Sequence, residues 1–269
     1  MEPLVSIVMP AYNAEAFIGE AIASVLAQEH ARWELIIVND GSTDGTARII
    51  AGFTDPRIRC INLPVNGGIG RARNKGLDAA RGELLCTLDA DDVMPPRSLS
   101  ARIAALHDRP EADMVDGKVL FLDRALKQVL RVYAPNFNGE PLNELLGLTG
   151  SCFMGCSWLI RWRPGEELRY ETAISHAEDL LFYIRYAKGR NYIAVGEEVL
   201  HYRITGSSTM SNLAGLERSY RYIAQWLRQH PETATPRQAR HFDARWRSIM
   251  MRTWLKDGRP LAALRARFR

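Results

Sequence analysis

The chain has 269 residues, 46% hydrophobic and 25% charged, with a formal net charge of +4. That composition excludes a disordered, collagen-like or coiled-coil chain and suits one large α/β domain or a domain with an appendage. No run approaches the roughly 18 uninterrupted apolar residues of a membrane-spanning helix, and the opening Met1-Glu2-Pro3-Leu4 lacks the basic and apolar stretches of a secretory signal, so a cytoplasmic location is expected.

Val5-Ser6-Ile7-Val8-Met9-Pro10 reads as a buried strand that stops at a proline. Ile18, Ala21, Ile22, Val25 and Leu26 then recur at helical spacing. A second strand, Glu34-Leu35-Ile36-Ile37-Val38-Asn39, meets the polar turn Asp40-Gly41-Ser42-Thr43-Asp44 and a helix carrying Ile49, Ile50 and Phe53. A third strand from Ile58 to Leu63 leads through Asn66-Gly67-Gly68 into a helix with Ile69, Ala72, Gly76, Leu77 and Ala80 on one side. The fourth, Leu84-Leu85-Cys86-Thr87-Leu88, runs into Asp89. Such alternation predicts an α/β fold with a mostly parallel sheet and helices on both faces, whose ligands lie outside the carboxyl ends of the strands. Ala11-Tyr12-Asn13, Asp40-Gly41-Ser42 and Asp89-Ala90-Asp91-Asp92 should therefore converge.

Beyond Pro95-Pro96 the pattern predicts a helix near 99–106, strands near 114–122 and 128–133, an irregular stretch over 135–141, and a Gly- and Ser-containing segment before Trp158-Leu159-Ile160. Ser175-His176-Ala177-Glu178 fits a capping box, so a helix is expected to start after Ser175. The C-terminal third reads as helical and basic: residues 236–269 hold ten cations against two anions, a net of +8 that leaves −4 on the rest. A basic tail on an acidic body predicts an anionic partner for the tail rather than a nucleic-acid-binding protein. Cys60, Cys86, Cys152 and Cys156 form no C-x-x-C pair and read as free, buried thiols.

The sharpest chemical feature is Leu88-Asp89-Ala90-Asp91-Asp92, three carboxylates within four positions at a strand end. Crowded carboxylates raise one another's pKa, and a hard divalent cation bridging them to substrate phosphates relieves the repulsion. A helix N-cap is the competing structural role, open above all for Asp92.

Four stretches stand in one order and spacing over roughly the first hundred residues: Val5 through Asn13, Ile36 through Asp44, Asn66-Gly67-Gly68-Ile69-Gly70-Arg71-Ala72-Arg73-Asn74-Lys75-Gly76, and Leu88 through Asp92. Together they resemble the family 2 glycosyltransferases, whose nucleotide-sugar-binding fold is called GT-A. The resemblance implies that Pro10, Ala11, Tyr12 and Asp40 hold the nucleotide base, with Asn66 in the same pocket and Arg73 approaching the diphosphate. It implies that Asp91 ligates Mn²⁺ or Mg²⁺ directly, that Ala90 belongs to the donor site, and that Asp89 binds the ribose or the metal and its water. His176-Ala177-Glu178-Asp179 resembles the family's Glu-Asp motif, which makes Asp179 the base that deprotonates an acceptor hydroxyl and puts Glu178 near the site. His201-Tyr202-Arg203 with Ser207 and Ser208 resembles a late loop over the diphosphate, with His201 as a further metal ligand.

The implied reaction is inverting transfer from a nucleotide diphosphate sugar, a UDP-sugar above all, to a saccharide or lipid-linked saccharide acceptor in bacterial surface polysaccharide or glycolipid assembly. The expected layout is a nucleotide-sugar-binding half over 1–110, an acceptor-side half over 111–212, and a basic helical extension over 213–269. That extension suits peripheral contact with an anionic membrane surface, and equally a lid or subunit contact; the oligomeric state is not legible. A non-catalytic nucleotide-sugar binder would need the same residues up to Asp91. A dinucleotide-dependent oxidoreductase is disfavoured because no G-x-G-x-x-G follows the first strand, and a nucleotidyltransferase because no glycine- and cation-rich loop does.

Overall fold

Strands β1 (Val5–Ala11) and β2 (Trp33–Asp40) are buried along their whole length, the signature of a parallel sheet covered on both faces. They lie at the heart of a computed structural model that describes residues 2–153, 155, 157–206 and 212–268. Side chains on a strand point alternately to opposite faces, and here each face has its own core. Val5, Ile7, Met9, Leu35 and Ile37 join one cluster with helices α1 (Ile18–Leu26), α2 (Thr46–Ala51) and α4 (Ser98–Asp108). Val8, Ile36 and Val38 join the other with α3 (Ile69–Ala79), α5 (Leu142–Gly147) and α6 (Glu178–Ala187).

Among the described residues the sheet has eight strands. β3 (Ile58–Leu63), β2, β1 and β4 (Leu84–Thr87) run parallel, with Val5 opposite both Trp33 and Leu84. β7 (Leu159–Arg161) pairs antiparallel with β4 and passes the sheet on to β5 (Met114–Leu122), which carries β6 (Val129–Tyr133) antiparallel and β8 (Tyr192–Arg203) parallel. The result is the expected mostly parallel sheet flanked by helices, with three helices at the C-terminus: α7 (Leu213–Gln229), α8 (Pro236–Lys256) and α9 (Pro260–Phe268).

Those C-terminal helices share the second core. Leu216, Ile223, Phe242, Trp246 and Met250 lie in one cluster with Leu180, Leu181 and Ile184 of α6. Their starts are well defined by sequence. Asn212 caps α7 by accepting the Gly215 N–H at 3.0 Å, and Thr235 forms a capping box with Gln238 ahead of Pro236 in α8.

Three local expectations change. The box predicted at Ser175 does not form: Ala177 is left-handed at φ 54°, the Ser175 hydroxyl meets His176 Nδ1, and α6 begins only at Glu178. Its carboxylate is recruited by a distant arginine instead, as described below. The sequence pattern predicts no helix where α5 forms, and β8 is a strand of 12 residues whose bulges against β5 and exposed Glu198 break the alternation that marks a strand.

Helix α3 sits hard against β1, because Gly76 has no side chain: a methyl group there would overlap Val8 Cγ1. That contact fixes where the other end of α3 meets the carboxyl edge of the sheet. Gly76→Ala is expected to cost about 1–3 kcal/mol by overpacking, read by urea unfolding, and Val8→Ala in the same chain should recover part of the loss. Additive losses in the double variant would refute the contact.

Candidate active site

A cleft of about 1580 Å³ opens at the carboxyl ends of β1, β2 and β4, where the polar segments were expected to meet. Pro10, Ala11, Tyr12, Asp40, Asn66, Arg73, Asp89, Ala90, Asp91, Glu178, Asp179 and Arg203 all line it. Tyr12 projects from the end of β1 and is 50% exposed, free to lie against a flat ring. Asp40, at the end of β2, is buried and turns its carboxylate toward the loop before α3. It accepts the Gly67 N–H at 3.0 Å and the Gly68 N–H at 2.8 Å. Gly41 makes that approach possible, since its φ of 71° is left-handed and a side chain would strike the backbone of Val65 and Asn66.

The acidic cluster forms a turn after β4, closed by the Asp92 N–H to Asp89 carbonyl bond at 3.1 Å. Its carboxylates have separate environments. Asp92 is buried and accepts the Arg203 backbone N–H at 2.8 Å; burial and the Asp91 and Asp89 charges hold its pKa well above the usual range. It caps no helix, because α4 begins only at Ser98. Burial, with Asp89 beside it, pushes Asp91 up to about 6, and the carboxylate lies in the cleft wall. Asp89 pairs with Arg73 Nη2 at 2.9 Å.

Arg73 spans the site. Its side chain is 2% exposed, and while Nη2 reaches Asp89, Nη1 meets the Glu178 carboxylate at 2.6 Å across 105 positions of sequence. The guanidinium also lies over the Tyr170 ring, 5.3 Å from its centre. Next to Glu178, the Asp179 carboxylate faces the cleft and accepts its neighbour's Leu180 N–H at 2.7 Å. Desolvation, reinforced by the Glu178 charge and opposed by Arg73, pushes Asp179 up to about 7. A carboxylate poised there suits proton transfer near neutral pH.

Arg203, expected to meet phosphate, is tied into the protein: Nε donates to the Asp91 carbonyl at 2.7 Å, Nη1 to the Arg124 carbonyl at 2.6 Å, and Nη2 to Glu20 at 2.6 Å. Phe17 packs beneath it, 4.8 Å from its guanidinium carbon. Neither Glu20, Phe17 nor Arg124 carries any motif, so sequence reading missed them. His201 pairs through its backbone with Val93, next to the acidic turn, but it is not among the residues that line the cleft. Its ring bonds Glu198 at 3.0 Å, and the neighbours that line the cleft are Leu200 and Tyr202. Ser207 and Ser208 lie outside the described residues. Leu216, Tyr220 and Ile249 bring α7 and α8 into the cleft wall; their amphipathic pattern was visible, but which surface they cover was not.

No group of three or more His, Cys, Asp or Glu is arranged to hold a metal among the described residues. The residues nonetheless fit a hard divalent ion of the kind that takes one or two carboxylates and completes its shell with substrate phosphate. Asp91 supplies a carboxylate whose protonation is favoured only by burial and like charge, the condition a cation reverses.

The profile of the family described as Glycosyl transferase family 2 matches residues 6–168. The Escherichia coli protein UDP-Glc:alpha-D-GlcNAc-diphosphoundecaprenol beta-1,3-glucosyltransferase WfgD is 31% identical over 211 residues, covering 78% of this chain and 80% of that protein. The succinoglycan biosynthesis protein ExoO of Rhizobium meliloti is 45% identical over 198 residues, 66% of this chain and 54% of ExoO, so the chain spans about half of that relative. S. aureus TarS in complex with UDP-GlcNAc superposes with a TM-score of 0.70 at 20% identity, over 93% of this chain and 72% of TarS, a likeness of fold.

Breaking a buried ion pair on one side strands the other charge, at about 3–5 kcal/mol. Arg73→Gln is therefore expected to lose about that much stability in urea unfolding, with Glu178→Gln recovering part of it in the double variant. A loss under about 1 kcal/mol, the value of an exposed pair, would show that Arg73 does not bridge the site.

Proposed function

The chain belongs to glycosyl transferase family 2, and from that premise we propose that it transfers a sugar from a UDP-sugar to an acceptor hydroxyl with inversion at the anomeric carbon, using Asp179 as the base. The observation that carries this reading is Asp179 itself, a desolvated carboxylate raised to about 7 in the same cleft as Asp40 and the Asp89–Asp92 turn. Tyr12 and Asn66 would flank the base, with the Asp40 clasp shaping that pocket. Asp179 takes the proton from the acceptor hydroxyl as its oxygen bonds to the anomeric carbon. The bond from that carbon to the diphosphate breaks on the opposite side, which inverts the configuration. Asp91, with Asp89, would hold Mn²⁺ or Mg²⁺, which when bound supplies positive charge to the departing diphosphate. The Glu178 charge disfavours the ionised form of Asp179 and the Arg73 charge favours it.

The relatives support saccharide acceptors in surface polysaccharide assembly: WfgD is named for a diphosphoundecaprenol-linked acceptor and ExoO for succinoglycan biosynthesis. Among the described residues no helix is long and apolar enough to cross a membrane. The C-terminal end supports contact with a lipid-borne acceptor from one side: Leu255, Leu261 and Leu264 are 52%, 71% and 56% exposed among Lys256, Arg259 and Arg265.

Two experiments test these readings. UDP-, GDP- and dTDP-sugars with Mn²⁺ are expected to raise the melting temperature of wild type and of Asp179→Asn alike for the true donor, while transfer in the variant falls by about 10²–10⁴-fold. In wild type kcat should decline as pH falls through about 7, because a raised pKa means the base form is lost on that side; unchanged turnover in Asp179→Asn removes the base role. For the membrane contact, co-sedimentation with anionic phospholipid vesicles should weaken in the Leu261→Asp, Leu264→Asp double variant. Equal sedimentation would rule the contact out.

A further inference from the structure

We infer that Arg71 grips the phosphate groups of the donor nucleotide, the task that the family resemblance implied for Arg73 and Arg203. The inference rests on the reading of the cleft as a nucleotide-sugar site and adds to it a residue that the pattern left without a role. Four arginines, and no lysine, stand among the described residues lining the cleft: Arg71, Arg73, Arg131 and Arg203. Two are spent on the protein. Arg73 is buried between Asp89 and Glu178, and Arg203 is buried against Glu20 and two carbonyl groups. Turning either toward a ligand would strand a carboxylate. Arg131 belongs to the exposed strand β6 and lies on the Phe121 ring, 3.7 Å from its centre.

Arg71 differs from all three. In the first turn of α3, it makes no hydrogen bond, ion pair or ring contact with any described residue. Its side chain folds back over Gly67, so closely that a methyl group there would collide with Arg71 Cδ and Nη1. Gly67 is not a left-handed glycine, so this close approach, rather than backbone conformation, is what a side chain there would disturb. The Gly67 N–H is in turn held by Asp40, which fixes the backbone beneath Arg71 at the nucleotide end of the cleft. The cleft otherwise presents Asp40, Asp89, Asp91, Asp92, Glu178 and Asp179, and an incoming diphosphate adds to that negative charge. An uncommitted guanidinium, with paired donors on a flexible stem, is matched to phosphate oxygens.

The test measures binding in Mn²⁺ of UDP, GDP and dTDP by calorimetry, and of the matching nucleosides by NMR titration, to wild type, Arg71→Ala and Arg71→Lys. For the diphosphate that wild type binds, Arg71→Ala should lower affinity about tenfold or more, the scale of a charge-assisted hydrogen bond, and Arg71→Lys should fall between. Affinity for the nucleoside should not change, and an unchanged melting temperature without ligand will show that the variant is folded. An equal loss for nucleoside and diphosphate overturns the assignment in favour of a base contact, and no loss for either overturns it outright. If wild type binds none of the three diphosphates, the donor-site reading fails and the assignment with it.

Discussion

The site depends on one buried cation. Arg73 enters from α3, receives Asp89 from the end of β4 and Glu178 from the start of α6, and so joins the two halves of the cleft through a single planar group. A guanidinium withdrawn from water is costly unless its donors are matched, and here two carboxylates and the face of Tyr170 surround it. Its position follows from packing one turn further along α3, where Gly76 lets the helix settle onto Val8. Asp179 inherits its character from the same arrangement: desolvation and the Glu178 charge beside it disfavour its ionisation, and Arg73 favours it.

Charged residues at the cleft serve first to hold its walls. Asp40 clasps the loop before α3, Asp92 and Arg203 staple β8 to the acidic turn, and Glu20 closes the far side of Arg203. Each link spans distant segments of sequence, and together they place the ligand-facing groups before a ligand arrives, which spares reorganisation during the reaction. The Tyr12 ring, the Asp91 carboxylate, the Asp179 carboxylate and the Arg71 guanidinium are among the described groups that line the cleft those links shape.

The C-terminal helices are integral to this design. Trp246 and Trp254 are buried and donate their indole N–H groups to Asp243 and Glu217, while Tyr220 and Ile249 extend the cleft wall beyond Asp179. Asp243, one of the two anions of the basic segment, pairs with Arg247 on its own helix and with Arg228 of α7. The cations around Leu261 and Leu264 lie nearer the chain end, where the apolar side chains are exposed.

The order of strands β1 to β4, the helices between them and the convergence of Tyr12, Asp40 and the Asp89–Asp92 turn were legible in the sequence. Strand and helix periodicity are local, and a parallel sheet leaves one edge for its loops. The later half was harder: α5 is short, β8 is bulged, and Ser175 to Glu178 mimics a cap while Glu178 answers to Arg73. Residue type alone determined that carboxylates and arginines gather at this edge. Only the tertiary structure decided which of them are consumed by one another, because Arg73 with Glu178 and Arg203 with Glu20 are pairings across long stretches of chain, set by packing and invisible to any local pattern.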